Sequence, residues 1–251
     1  MVHRRLGRSG LTVSPIGFGA FKIGRNEGIK YAQGYDLPDE AAATRLLNAV
    51  LDLGINYLDT APAYGLSEER IGRALAQRRG EYVLSTKVGE TRAAGRSTYD
   101  FSSGAVRASV EQSLRRLGTD ALDLVLIHSD GDDLAILDRS DAVPTLEALR
   151  SEGLVRAIGL SARTVEGARA ALAWADTLML EYNLDDRSAA DVISAAAAAD
   201  VGVVVKKGLA AGRLDPGEAV RFVLGTPGVG SLVVGSLNID HLTDSVRMAE
   251  S

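Results

Sequence analysis

Near-continuous apolar runs of five or six residues recur along this chain, each followed by a longer segment whose apolar positions have helical spacing. Runs such as 122–127 and 201–205 do not alternate apolar with polar, which is how strands buried on both faces read in parallel sheets. Parallel neighbours need a crossover, usually a helix. The pattern predicts strands near 15–20, 57–59, 82–87, 122–128, 155–160, 178–181, 202–206 and 231–234. Helices are predicted near 39–53, 67–77, 102–117, 141–151, 164–173, 187–199, 216–224 and 239–248. Eight such units fill an α/β (β/α)8 TIM barrel as a single domain over residues 1–251. The glycine-punctuated start, Arg4 to Val13, predicts a short N-terminal β-hairpin ahead of it. An open doubly wound sheet is the alternative, but no Gly-x-Gly-x-x-Gly follows the first strand.

Composition removes several classes of function. A net charge of −5 argues against a nucleic-acid or anionic-membrane surface. The absence of cysteine excludes disulfides, thiolate chemistry and cysteine-held metals. His3, His128 and His241 lie far apart in the chain, and Asp130-Gly131-Asp132-Asp133 lacks a full set of ligand spacings, so no metal is expected. No apolar signal core follows Met1, and no stretch approaches a membrane span, so a cytoplasmic location is expected.

Three strand ends carry ionisable groups. Leu58-Asp59-Thr60-Ala61-Pro62-Ala63-Tyr64-Gly65 leaves one strand through a proline-marked turn, 83–87 ends in Lys87, and 122–128 ends in His128. In a strand–helix barrel these positions face the mouth where active sites are built. Taken singly they have plain readings: a helix-initiating turn, a buried ion pair and a satisfied histidine. An Asp59–Lys87 pair alone, however, leaves Tyr64 and His128 unexplained. Reduction of a carbonyl needs a hydride for carbon and a proton for oxygen. A phenol titrates near pH 10, and the Lys87 ammonium would lower that value. Asp59 would keep Lys87 charged, and His128 would donate to the developing alkoxide. Ser129-Asp130 does not extend His128 into a triad, because neighbours on an extended chain point opposite ways.

The chain resembles the aldo-keto reductases in motifs running in order over its whole length. These are Arg5-Leu6-Gly7 with Gly10-Leu11-x-Val13-Ser14, Asp59-Thr60-Ala61-x-x-Tyr64-Gly65, Ser85-Thr86-Lys87 and Ile127-His128. Ile158-Gly159-Leu160-Ser161, Glu181-Tyr182-Asn183-Leu184 and Gly235-Ser236-Leu237-Asn238 with His241-Leu242 continue the series. The resemblance implies that Asp59, Tyr64, Lys87 and His128 form a catalytic tetrad serving a nicotinamide cofactor and a small-molecule carbonyl substrate. It further implies cofactor contacts from Ala20, Phe21, Asp59, Ser161, Met179, Lys206, Lys207, Gly208, Leu209, Gly235, Ser236, Leu237, Asn238 and His241.

On the cofactor side this sequence departs from the family pattern. Ser161 is followed by Ala162 where the family has asparagine, and Met179 stands where it has glutamine. Lys206-Lys207 occupies the place of an aromatic residue that stacks on the nicotinamide. The helix start at 235–238 is a natural anion site. The resemblance implies NADPH, as most of the family uses it, while locally only His241 stands near to meet a 2′-phosphate, with Arg247 further on, so NADPH is expected slightly ahead of NADH. A short 208–217 loop and an end at Ser251 predict a shallow, open pocket walled by 21–36, 90–101 and 129–140. Trp174, at a helix end, is expected to be a packing residue. Two other classes fit a barrel with strand-end lysines: a Schiff-base lyase using Lys87 or Lys207, and a cofactor-binding barrel without catalysis.

Overall fold

The computed structural model describes residues 1–28 and 34–250. Residues 29–33 of the pocket wall expected over 21–36 lie outside the described residues. A closed barrel is built by β3 (Ile16–Gly19), β4 (Tyr57–Asp59), β5 (Val83–Val88), β8 (Leu122–His128), β9 (Val155–Ser161), β10 (Thr177–Glu181), β11 (Gly202–Lys206) and β12 (Val229–Val234). All eight neighbouring pairs are parallel, and β12 closes on β3 through Leu232 opposite Ile16 and Val234 opposite Phe18. The eight predicted strands are therefore the eight barrel staves.

Between them run α1 (Glu40–Asp52), α2 (Ser67–Ala74), α3 (Ser103–Leu117), α5 (Ala142–Ser151), α6 (Val165–Ala171), α7 (Ala190–Ala198), α8 (Pro216–Gly225) and α9 (Ile239–Glu250). Their starts are written in the chain. Asp39, Ser102, Thr164 and Asp215 each accept a backbone N–H of the first turn. Such a cap satisfies a donor the helix cannot. Among the described residues no helix is long and apolar enough to cross a membrane.

Two features go beyond the predicted pattern. Residues 90–101, expected to be loop, contain an antiparallel hairpin of β6 (Glu90–Ala93) and β7 (Arg96–Tyr99). Its turn holds Ala94 and Gly95 at φ of 48° and 77°, the doubly positive conformation that suits strand twist. Within 129–140, also expected to be loop, Asp132 caps a short helix α4 (Asp133–Arg139).

Strand alternation sorts the apolar side chains into two cores. Leu58, Val125, Ile127, Leu160, Leu178 and Val203 point outward, beneath the helices. Tyr57, Leu124, Leu126, Ala157, Met179 and Val204 fill the barrel with Leu6, Leu11 and Val13. The last three belong to the predicted hairpin, β1 (Arg4–Arg5) with β2 (Thr12–Val13), and plug the end where the strands begin. At the opposite end the same alternation turns Asp59, Lys87, His128, Ser161, Glu181 and Lys206 toward the axis.

Candidate active site

The mouth is organised around one buried ammonium. Lys87 Nζ lies 2.7 and 2.8 Å from the two Asp59 oxygens and 2.9 Å from the Thr60 carbonyl, so its three hydrogens are all used. Lys87 is 1% exposed and Asp59 4%. Burial pushes the lysine toward neutrality, but Asp59 and Tyr64 outweigh it and raise its pKa, which keeps the charge. The Pro62–Tyr64 turn of 3-10 helix then lays the Tyr64 ring beside that charge, with Nζ 4.9 Å from the ring centroid. Phe21 meets Tyr64 edge-on at 5.0 Å, and His128 does so from the other side at 6.2 Å. Ala20, next to Phe21, is fully buried. The four side chains expected at the mouth are thus brought together from three strand ends.

One expectation about them is corrected. Lys87 does favour the Tyr64 phenolate, but burial is the larger influence, and the phenol's pKa moves up from 10.0. Tyr64 is a neutral proton donor at physiological pH.

Sequence reasoning missed Glu90. This carboxylate, 8% exposed at the start of β6, places Oε2 2.8 Å from His128 Nδ1. The nitrogen has no other partner and its N–H axis is off the line to the oxygen, so the contact is an ion-pair approach, short of a well-aligned hydrogen bond. Ser97 Oγ on β7 donates to Glu90 Oε1 at 2.6 Å. Burial raises the Glu90 pKa, while His128, Ser97 and Arg25 pull it down, to about 2. For His128 burial is again the largest influence, and with Lys87 and Lys206 it outweighs Glu90, leaving the pKa below 6.5. The only hint in sequence was Ala94-Gly95 between short polar segments.

Across the mouth, Lys206 Nζ donates to Ser161 Oγ at 2.9 Å and to the Ala162 carbonyl at 3.0 Å. Desolvation first, then Lys87 and Lys207, lower its pKa to about 7, with Arg163 adding to the crowding of cations. Met179, the partner of Ser161 across β9 and β10, is buried beside it. Lys207 is exposed and ion-paired to Glu181. Gly208 is packed under Leu232, with half-buried Leu209 beyond it. At the end of β12, Gly235 faces the Gly19 carbonyl with no side chain between them. Ser236 Oγ accepts from the Asn238 N–H at 3.1 Å, and Asn238 Oδ1 caps α9 through the Asp240 N–H. Leu237 is half-buried beside them, and His241, exposed on α9, sits 3.5 Å from Ser236 Oγ. These residues fit a nicotinamide dinucleotide. The mouth carries an excess of cations, a bare glycine floor, a serine–lysine donor pair and a helix start, which suit a diphosphate and a carboxamide.

The lowered Lys206 pKa has a measurable consequence. Between about pH 7 and 10.5 the folded state has released a proton that the unfolded chain still holds, so this residue's contribution to stability rises with pH and is flat below pH 7. Urea unfolding of the cofactor-free protein should show wild type gaining on Lys206→Met across that window. A pH-independent difference would mean Lys206 titrates as an ordinary lysine.

Comparison with known proteins agrees with the geometry. The sequence model of the aldo/keto reductase family matches residues 15–219. The chain belongs to the aldo/keto reductase family. It is similar to a D-threo-aldose 1-dehydrogenase from a Pseudomonas species, at 32% identity over 85% of this chain and 71% of that protein. An L-galactose dehydrogenase from Arabidopsis thaliana is 37% identical over 63% of this chain, which spans about half of that relative (47%). A solved putative aldo-keto reductase from Pseudomonas aeruginosa superposes with TM-score 0.92 at 48% identity, covering 99% of this chain and 94% of that one. Membership makes the chain an oxidoreductase that uses a nicotinamide cofactor, and a lyase built on Lys87 or Lys207 is set aside. Both lysines are also held in ion pairs.

Proposed function

We propose that the whole chain acts as one cytoplasmic barrel domain that interconverts a small aldehyde or ketone and its alcohol, with NADPH preferred slightly over NADH. The observation that supports this best is the buried Lys87–Asp59 pair set beneath Tyr64, with His128 facing it. The bound nicotinamide supplies the hydride. Tyr64 gives its proton to the carbonyl oxygen, and Lys87 stabilises the phenolate left behind, in a setting of low dielectric where a charge 4.9 Å from the ring acts strongly. Asp59 fixes the ammonium and cancels its cost of burial. His128 meets the substrate oxygen from the other side and aligns it. Ser161 and Lys206 would hold the carboxamide, and Gly235 to Asn238 with His241 would receive the phosphates.

Replacing the expected asparagine and glutamine by Ala162 and Met179 removes two hydrogen bonds, each typically contributing about 0.5–1.5 kcal/mol. Micromolar or weaker cofactor affinity is therefore expected. Trp174 lies between α6 and β10, at the end of the barrel away from the mouth, so the reporter of choice is the reduced cofactor's own fluorescence. Titration with NADPH and NADH at two salt concentrations should show a modest NADPH preference that shrinks as salt rises. Lys207→Ala should weaken NADPH by only a few-fold, since its exposed ammonium already has Glu181 as a partner. A folded barrel that binds neither nucleotide would end this reading.

A further inference from the structure

Beyond Tyr64 the mouth opens between two walls, and each brings one arginine to the same place. Arg25 follows the turn of 3-10 helix over Ala20–Ile23. Its Cζ stands 5.2 Å from the centre of the Phe21 ring, which itself meets Tyr64, and its Nη1 donates to the Ala63 carbonyl at 3.2 Å. Arg92 lies two residues beyond Glu90 on β6, so strand alternation puts it on the hairpin face that carries Glu90. The strand packs against the Pro62–Tyr64 turn. The two half-buried guanidiniums gather over Gly28, where a methyl group would lie 2.6 Å from Arg92 Nη2 and 3.2 Å from Arg25 Nη2.

Neither arginine has a counter-ion. Arg25 donates to the carbonyls of Glu27, Gly28 and Ala63, and Arg92 reaches the Ser97 hydroxyl at 3.5 Å. Among the described residues no carboxylate pairs with either. Elsewhere arginines that are partly or wholly buried are paired: Arg70 with Glu40, Arg78 with Glu81 and Arg79 with Asp123. Two like charges brought together repel, and an anion placed between them reverses the sign of the contact.

We propose that Arg25 and Arg92 clamp the carboxylate of an oxo acid whose carbonyl lies at Tyr64 and His128. The inference rests on the oxidoreductase reading of the same mouth and names its substrate class. Hydride and proton still go to the carbonyl carbon and oxygen, and the carboxylate passes through unchanged. The planar forks of two guanidiniums match a carboxylate's paired oxygens. Glu90, itself held by His128 and Ser97, is close enough to Arg25 to offset one of the two charges without bonding to it. The remaining excess suits a singly charged carboxylate better than a dianionic phosphate. The helix start suited to the cofactor's phosphates follows β12, and β3 and β4 stand between it and β5, from whose end the β6–β7 hairpin rises.

The probes are 4-oxobutanoate and 4-formylbenzoate, each set against its methyl ester, which keeps the aldehyde and removes the charge. With the reduced cofactor at low salt, kcat/KM should favour acid over ester about tenfold or more in at least one pair. The difference should lie mostly in KM, because a carboxylate remote from the reacting carbon is bound alike in ground and transition states. The acid-to-ester ratio should shrink as salt rises, approach unity in Arg92→Gln and invert in Arg92→Glu. Without cofactor, the arginine side-chain N–H signals lost in Arg25→Lys and in Arg92→Lys should shift in wild type on adding butanoate or 4-(hydroxymethyl)benzoate, and stay put with the methyl esters. Equal rates for acid and ester in both pairs, or arginine signals indifferent to both acids, overturns the proposal. Should the barrel reduce none of these aldehydes, the oxidoreductase reading fails, while a shift specific to the acids still supports the carboxylate clamp.

Discussion

Tyr64→Phe should bind NADPH as tightly as wild type and reduce a good aldehyde about 10²–10⁴-fold more slowly. The substitution keeps the ring that Phe21 and His128 touch edge-on, so the mouth retains its shape. Only the hydroxyl goes, and with it the one neutral donor beside Lys87. The ammonium cannot take over, because its three hydrogens are bonded to Asp59 and the Thr60 carbonyl. His128, neutral at pH 7, is a poor substitute there and a better one in acid. The residual rate of the variant should therefore rise as pH falls below His128's pKa, which lies under 6.5. Steady-state rates alongside a cofactor titration decide the matter. Turnover equal to wild type would remove Tyr64 from the chemistry.

Asp59→Ala is the second large effect, and it reaches stability as well as rate. Its removal leaves an ammonium that is 1% exposed, with only the Thr60 carbonyl and Tyr64 beside it. Stranding a buried charge in this way typically costs about 3–5 kcal/mol. For a chain of this size that corresponds to a melting temperature lower by roughly 10 °C. The double variant Asp59→Ala/Lys87→Met should recover most of the loss, since a well-packed apolar side chain replaces the pair at little cost, and it should remain inactive. If the single variant melts with wild type, the charge has found water and the mouth is wetter than the packing indicates.

How far the sequence led depended on what each residue announces locally. Asp59, Lys87 and His128 were legible because each ends a strand whose apolar run can be counted, and alternation along that run says which way the last side chain points. Tyr64 was legible from the Pro62 turn that follows. Its proton affinity was not, because the ammonium beside it is visible in the sequence while the degree of burial is a property of the assembled mouth. Glu90 was hidden for a different reason. The β6–β7 hairpin rises from the barrel rim with most of its residues exposed, so it has no apolar face and reads as loop. Helix α4 was masked by the acids Asp130, Asp132 and Asp133, of which Asp132 is a cap and Asp133 is buried. Asp133 Oδ2 binds the Arg163 and Thr164 N–H groups and the Thr164 hydroxyl.

The seam between β12 and β3 bears on how this molecule comes into being. Leu232 pairs with Ile16 and Val234 with Phe18, so the last stave closes on the first across nearly the whole chain. Contacts of such separation carry the full entropy of loop closure and form late in folding. A growing polypeptide that already displays Asp59, Lys87 and His128 holds them on an open sheet, with β3 lacking its outer neighbour. Unpaired strand edges of that kind invite other chains. Synthesis must run past Val234 before the ring can shut, and until then the acid–base residues have no common mouth to face.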